Sequence, residues 1–171
     1  MPPKKLKIVF LGMPAVGKTS IINRYMRNLF ANRYINTLGC DFYVKNMTIQ
    51  DDTTFKLIIH DIGGQVEFRT ARRKYMARAD IVFIVFALDA PASYEIGEFL
   101  KDVLDMEETP LFSFVGNKLD LVNPDSLDLS SIKNLASKYN TEMFLTSAKE
   151  NVMIREIFVK MVEQFSDISN Q

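Results

Sequence analysis

The stretch "KLKIVFLGMPAVGKTS", residues 5–20, decides how the rest of the chain is read. Residues 5–11 end in an apolar run and read as a strand that stops at Gly12, and residues 18–28 read as a helix. Between them, Gly12 to Thr19 matches G-x-x-x-x-G-K-[ST] in full. Such a loop wraps phosphates with backbone N–H groups at a helix start. Lys18 is placed to reach the β- and γ-phosphates, and Thr19 to ligate Mg²⁺. Strand, loop and helix in that order make the pattern far more specific than a glycine-rich turn. Pro14, in the middle of the loop, has no N–H to offer.

The bulk of the chain is consistent with a soluble α/β protein. Its 171 residues suit one domain, so residues 1–171 are expected to form a single unit around one core. Lys plus Arg and Asp plus Glu both number 21, which leaves no global charge to attract nucleic acid or an anionic membrane. The lone Cys40 cannot form an internal disulfide and suggests a reducing compartment, hence a cytoplasmic protein. No apolar run is long enough to span a bilayer. Pro2 rules out glycine myristoylation, and "SDISNQ" at 166–171 has no prenylatable cysteine. No direct lipid anchor is expected, and membrane association would need recruitment by a partner.

Strand and helix patterns alternate along the sequence. "FYVKNMTIQ" and "FKLIIH" flank the polar turn Asp51–Asp52–Thr53 as a hairpin. "IVFIVFAL", 81–88, is apolar on both alternating faces, as a buried parallel strand should be. "YEIGEFLKDVLDM" sets Ile96, Leu100, Val103 and Leu104 on one helical stripe. "LFSFVGN" and "EMFLTS" read as strands, with "LSSIKNLASKY" as a helix between them. "NVMIREIFVKMVEQF" closes the chain as an amphipathic helix. The expected architecture is a three-layer α/β sandwich: a mostly parallel six-stranded sheet with one antiparallel hairpin strand, and about five helices.

Ligands of open α/β sheets bind beyond the strand C-termini, and three more such ends carry suitable chemistry. In "DIGGQ", 61–65, Asp61 can hold Mg²⁺ through water, Gly64 can offer an N–H to a γ-phosphate, and Gln65 can orient a water. In "NKLD", 117–120, the Asp120 carboxylate can accept from the paired N–H donors of guanine, a pair that adenine lacks. The aliphatic stem of Lys118 can cover the base. "TSAK", 146–149, offers at Ser147–Ala148–Lys149 a small turn whose N–H can meet the guanine carbonyl.

With these four motifs in this order, the chain resembles the Ras superfamily of small GTPases from about Leu6 to Phe165. "YINTLGCDF", 34–42, and "FRTARRKYMARA", 68–79, look most like the switches of its Rab branch. The resemblance implies a switch that cycles between GTP and GDP with Mg²⁺. It implies catalytic roles for Gln65, Lys18 and Thr37, and metal ligation by Thr19, Thr37 and Asp61. Nucleotide contacts carried over are Ala15, Val16, Gly17, Lys18, Thr19 and Ser20 in the loop. Phe30, Tyr34, Thr37 and Gly64 follow in the switches, then Asn117, Lys118, Asp120, Ser147, Ala148 and Lys149 around the base. Effector, exchange-factor and GTPase-activating proteins are the implied partners, and no nucleic acid.

The departures from the family pattern qualify that expectation. In relatives the closest phosphate donors are the N–H groups that here belong to Ala15 through Thr19. Pro14 precedes them, so binding should survive while clearance beside Gln65 is reduced. Ile35 and Asn36 stand where an arginine acting in cis would be found, and Arg33 is a weak substitute. Slow hydrolysis, helped by an activating protein, is expected. Val66 occupies the place of a usual glutamate, with Glu67 one residue on, and His60 the place of a usual tryptophan. His60 reads as structural, and Cys40 as a packing or solvent-facing residue. Arg69, Arg72, Arg73, Lys74 and Arg78 form either a solvated face or a surface for an acidic partner. Glu95, Glu98, Asp102 and Asp105 could alternatively pair with them inside the molecule. A GTP-locked scaffold without turnover is the rival reading, and a P-loop ATPase or kinase a weaker one.

Overall fold

Alternation along β1 (Lys4–Leu11) sends Leu6, Ile8 and Phe10 to one side of a sheet and Val9 and Leu11 to the other, and all five are buried. Burial on both faces marks a central strand, and β1 lies third in the six-stranded order β2-β3-β1-β4-β5-β6. The structure is a computed structural model and describes residues 3–31, 37–50, 52–65 and 69–170. The readings placed on Arg33, Tyr34, Ile35, Asn36, Asp51, Val66 and Glu67 lie outside those residues.

β2 (Cys40–Thr48) and β3 (Thr54–Ile62) form the antiparallel hairpin, with Thr48 opposite Thr54 and Cys40 opposite Ile62. β3, β1, β4 (Ile81–Ala87), β5 (Leu111–Asn117) and β6 (Met143–Leu145) are parallel to one another. α1 (Lys18–Arg27) and α5 (Ile154–Ser169) cover one face, where Ile21, Ile22, Ile157 and Phe158 meet Phe10 and Phe83. α2 (Arg69–Met76), α3 (Gly97–Leu104) and α4 (Ser130–Lys138) cover the other through Met76, Val103 and Ile132. The expected sheet and five helices are therefore present.

The boundaries shift where local geometry outweighs periodicity. The third helix begins at Gly97 because Pro91 starts a separate 3₁₀ turn, Pro91–Tyr94. α5 begins at Ile154, after Asn151 and Met153 take left-handed φ angles of 57° and 59° and Val152 bridges back to Ser147.

The basic run of α2 divides in two. Arg72 is 1% exposed, so the reading of the whole run as a solvated or partner-facing surface is corrected at this position. Its Nε and Nη2 donate to Asp102 Oδ2 at 2.8 and 2.6 Å, and Nη2 also donates to Glu98 Oε1 at 2.9 Å. Its guanidinium lies 4.6 Å from the Phe99 ring centroid. Arg73 adds bonds to Asp102 Oδ1 at 3.0 Å and Asp105 Oδ2 at 3.4 Å. A guanidinium removed from water needs this density of partners to offset its desolvation. The internal pairing with α3 is the arrangement that the molecule adopts.

Candidate functional site

At the end of β1 the backbone turns so closely under β4 that a Cβ on Gly12 would sit 2.2 Å from the Val85 carbonyl oxygen. Gly17, at φ 98°, has Asn117 Nδ2 in the same place at 2.1 Å, and Ala15 takes φ 63° between them. Only glycine fits the first two positions, and the loop is thereby folded into a cradle at the start of α1. No side chain caps that helix, so its first N–H groups keep their capacity for an anion.

Lys18 turns back over the loop and donates from Nζ to the carbonyl oxygens of Gly12 and Met13, both at 2.9 Å. An ammonium has three N–H groups, so one is left over. The side chain is buried, and desolvation lowers its pKa to about 8, against the opposing pull of Asp61. Its hydrogen-bond acceptors among the described residues are two neutral carbonyls, and a phosphate would supply a charged one for the remaining N–H.

Three hydroxyl and carboxylate groups converge beside it. Thr19 Oγ1 donates to Asp61 Oδ2, and Thr37 Oγ1 lies 2.9 Å from Thr19 Oγ1. Asp61 is fully buried at the end of β3, and its Oδ1 has no partner among the described residues. Burial raises its pKa, and the hydrogen bond from Thr19 and the charge of Lys18 act in the opposite direction. Hard oxygen donors with an unsatisfied carboxylate oxygen fit Mg²⁺.

The segment after β3 abuts the loop directly. A Cβ on Gly64 would fall 2.4 Å from Gly12 O and 2.6 Å from Pro14 N. Pro14 therefore meets Gly64 at the crown of the loop, while the residues from Ala15 to Thr19 keep their N–H groups. Gln65 lines the same space, and its Oε1 is buried without a partner among the described residues.

At the other end, Asn117 at the tip of β5 acts as a staple. Its Nδ2 donates to Val16 O at 3.0 Å, and its Oδ1 accepts from Ala148 N at 3.1 Å and Thr146 Oγ1 at 3.3 Å. Asp120 Oδ1 accepts from Ser147 Oγ at 2.6 Å, and Lys149 Nζ lies 4.0 Å from Asp120 Oδ2. Lys118, at φ 69°, places Nζ 3.3 Å from Asp89 Oδ1.

These two ends bound one cavity of about 470 Å³. Of the residues expected there, Ala15, Gly17, Lys18, Thr19, Ser20, Phe30 and Thr37 line it. So do Gly64, Gln65, Asn117, Lys118, Asp120, Ala148 and Lys149. The side chain of Val16 packs in the core and its carbonyl accepts from Asn117, while its N–H stays in the loop with those of its neighbours. Ser147 and Asp61 lie behind the lining and act through Asp120 and Thr19. Tyr34 is outside the described residues.

Sequence reasoning missed Asn23, Ala31, Gly63, Leu121 and Asp89. Asn23 lies one helical turn beyond Thr19, so periodicity would have found it. Asp89 follows β4, the strand end that carried no motif.

His60 is 8% exposed and packs edge-on to Phe42 at 4.7 Å between ring centroids. Desolvation by burial, with Lys7 nearby, lowers its pKa to about 4. Among the described residues no cluster of His, Cys, Asp and Glu could hold a metal on its own.

Compared with models of protein families, the chain matches the one described as Ras family over residues 7–167. The match covers nearly the whole length and every motif at the cavity, so the chain belongs to the Ras family and is, at that level, a small GTPase that binds guanine nucleotide as a molecular switch.

Proposed function

We propose that this cavity binds GTP with Mg²⁺ and hydrolyses it slowly, and that the Thr37 and Gly64–Gln65 segments report the state of the nucleotide. The observation that carries this reading is the convergence of Thr19, Thr37 and Asp61 beside the spare N–H of buried Lys18. Lys18 and the amides of residues 15–19 hold the phosphate oxygens. Thr19, Thr37 and Asp61 supply the oxygens that would hold Mg²⁺, whose charge, when bound, offsets that developing on the β- and γ-phosphate oxygens. Gln65 orients the attacking water. Asp120 accepts from the guanine edge, with Lys118 and Phe30 packing on the base. Loss of the γ-phosphate frees Thr37 and Gly64, an order–disorder change that partners read.

Ile35 and Asn36 stand before Thr37 where an arginine acting in cis is usually found, and Arg33 is only a weak substitute. An activating protein supplying one in trans accelerates such sites by roughly 10³–10⁵. The switch sequences assign the chain to a Rab-like branch, with residues 1–171 acting as one domain in the cytoplasm. Membrane recruitment there depends on partners.

The contact of Pro14 with Gly64 favours one rival, a GTP-locked module in which crowding at the crown has suppressed turnover. Single-turnover hydrolysis of [γ-³²P]GTP separates the two. Phosphate release that falls by roughly tenfold or more in Gln65→Leu supports the working switch. Stable GTP binding with no release in wild type, and release gained in Pro14→Gly, leaves the locked module.

A further inference from the structure

A second cavity, of about 350 Å³, lies between the end of α1, the C-terminal half of β2 and the start of α5. Its size is within the roughly 300–1,000 Å³ of small-molecule sites. Tyr25, Met47 and Ile154 are its buried apolar residues, and Arg24, Lys45 and Arg155 bring three cations to it. The rest of the lining is asparagine and threonine, without a carboxylate among the described residues. In a chain with 21 residues of each sign, that is a local excess of positive charge.

The three cations retain donors. Lys45 Nζ gives one hydrogen bond, to Tyr25 O at 2.8 Å, while the ammonium lies 4.3 Å from the Tyr25 ring centroid. Two of its N–H groups are then left. Arg155 is exposed at the first turn of α5 and has no acceptor among the described residues. Arg24 donates from Nε to Ala148 O at 2.8 Å, from Nη2 to Lys149 O at 2.8 Å, and from Nη1 to Asn28 O and Oδ1 at 3.0 and 3.2 Å. A guanidinium has five N–H groups, so one remains.

Arg24 also joins this cavity to the nucleotide site. The two carbonyls it holds belong to the turn whose Ala148 N–H is bound by Asn117, and Asn117 in turn holds Val16 of the phosphate loop.

We infer that this cavity binds a compact polyol or sugar bearing two or more phosphates, and that its occupancy slows nucleotide release by fixing Arg24 on the Ala148–Lys149 turn. The cations take the phosphates, with Arg155 as the free fork and Lys45 as a point charge. The asparagines suit hydroxyl groups. Coupling of this kind is reciprocal, so bound nucleotide tightens the second ligand equally. The coupling rests on the reading of the first cavity as the guanine site; the binding does not.

Inositol trisphosphate is the probe, titrated calorimetrically into the full chain loaded with GDP and Mg²⁺. Saturable binding is expected, with affinity reduced by roughly tenfold or more in Arg155→Glu and in Lys45→Gln. Arg155 is exposed, so its variant should fold even if Lys45→Gln does not. Release of a fluorescent GDP analogue should slow several-fold with the probe in wild type and stay unchanged in Arg24→Lys, which cannot bridge both carbonyls. Phosphatidylcholine vesicles containing phosphatidylinositol bisphosphate form a second arm. Binding to them that is lost in the same variants assigns a lipid-borne ligand, and binding of the soluble probe alone assigns a free phosphate ester.

Absence of saturable binding, or equal binding by the variants, overturns the site. Binding to phosphatidylserine vesicles as tight as to the bisphosphate lipid does so too, because general charge attraction then accounts for it. A chain that binds the probe in a variant-sensitive way but takes up no GDP analogue keeps the site and breaks the guanine reading instead.

Discussion

The two ends of the nucleotide cavity are built differently. At the base end, Asn117, Thr146, Ala148, Asp120 and Ser147 are tied to one another and to Val16 through side-chain hydrogen bonds, all at strand tips. At the phosphate end, the first switch is linked to the loop side by the Thr37 hydroxyl on Thr19 and to the second by Gly63 N donating to Gly39 O at 2.8 Å. Gly64 touches the phosphate loop only by close backbone approach. One end is wired to hold its shape, and the other is assembled from contacts that can be given up singly. A binding site that must also signal needs both.

The largest expected effect tests whether the switch side is loose throughout. Arg72→Ala leaves Asp102, fully removed from water, without its main partner and should cost about 3–5 kcal/mol in urea unfolding. That would make the root of α2 the firmest part of the second switch. A loss under about 1 kcal/mol would mean that the pair is hydrated in solution and that the contrast between the two ends is sharper still.

Next, Asn117→Ala strands the Val16 carbonyl and the Ala148 N–H, both buried. About 2–3 kcal/mol of stability should be lost, with GDP and GTP affinities falling together. A change confined to GTP would place the staple on the wrong side of the comparison.

Acid should weaken the switch side through His60, which lies near the end of β3 next to Asp61. Its folded pKa of about 4 lies below the ordinary 6.5, so the neutral ring contributes stability above pH 6.5 that is lost as pH falls toward 4. The expected loss is about 2–3 kcal/mol by pH 4, read from unfolding at several pH values. His60→Phe should flatten that dependence, and an unchanged slope would assign the loss to other groups.

The smallest effect isolates the single hydroxyl. Thr37→Ala should leave GDP affinity near wild type and weaken a non-hydrolysable GTP analogue by about tenfold, one charge-assisted contact's worth. Equal weakening of both nucleotides would show that Thr37 helps hold the site at rest.

The asymmetry was only partly legible beforehand. The mostly parallel sheet and the cavity follow from apolar strands, several of which end in a short polar motif, because period-two burial and strand-end chemistry are both local signals. The basic run at Arg69–Arg78 was ambiguous for the opposite reason. Arg72 differs from its neighbour Arg73, which also bonds Asp102, by being buried; Asp102 lies thirty positions away, and no local pattern carries that distance. Val16 is expected at the phosphates through its backbone N–H, and its apolar side chain turns inward to the core without bearing on that expectation. Asp89 went unnoticed because a lone acid after a strand carries no spacing to recognise.

β4 has a bearing on how the chain reaches this state at all. Ile81–Ala87 carries no charged or polar side chain, and all seven residues are buried between β1 and β5. The same run, while still uncovered, has the composition of a self-associating segment. Asp80 and Asp89 stand just outside it as gatekeepers that disfavour stacking of one chain on another. Growth temperature and synthesis rate should therefore govern its soluble yield more than nucleotide supply does, since the strand is safe only once both neighbours have closed over it.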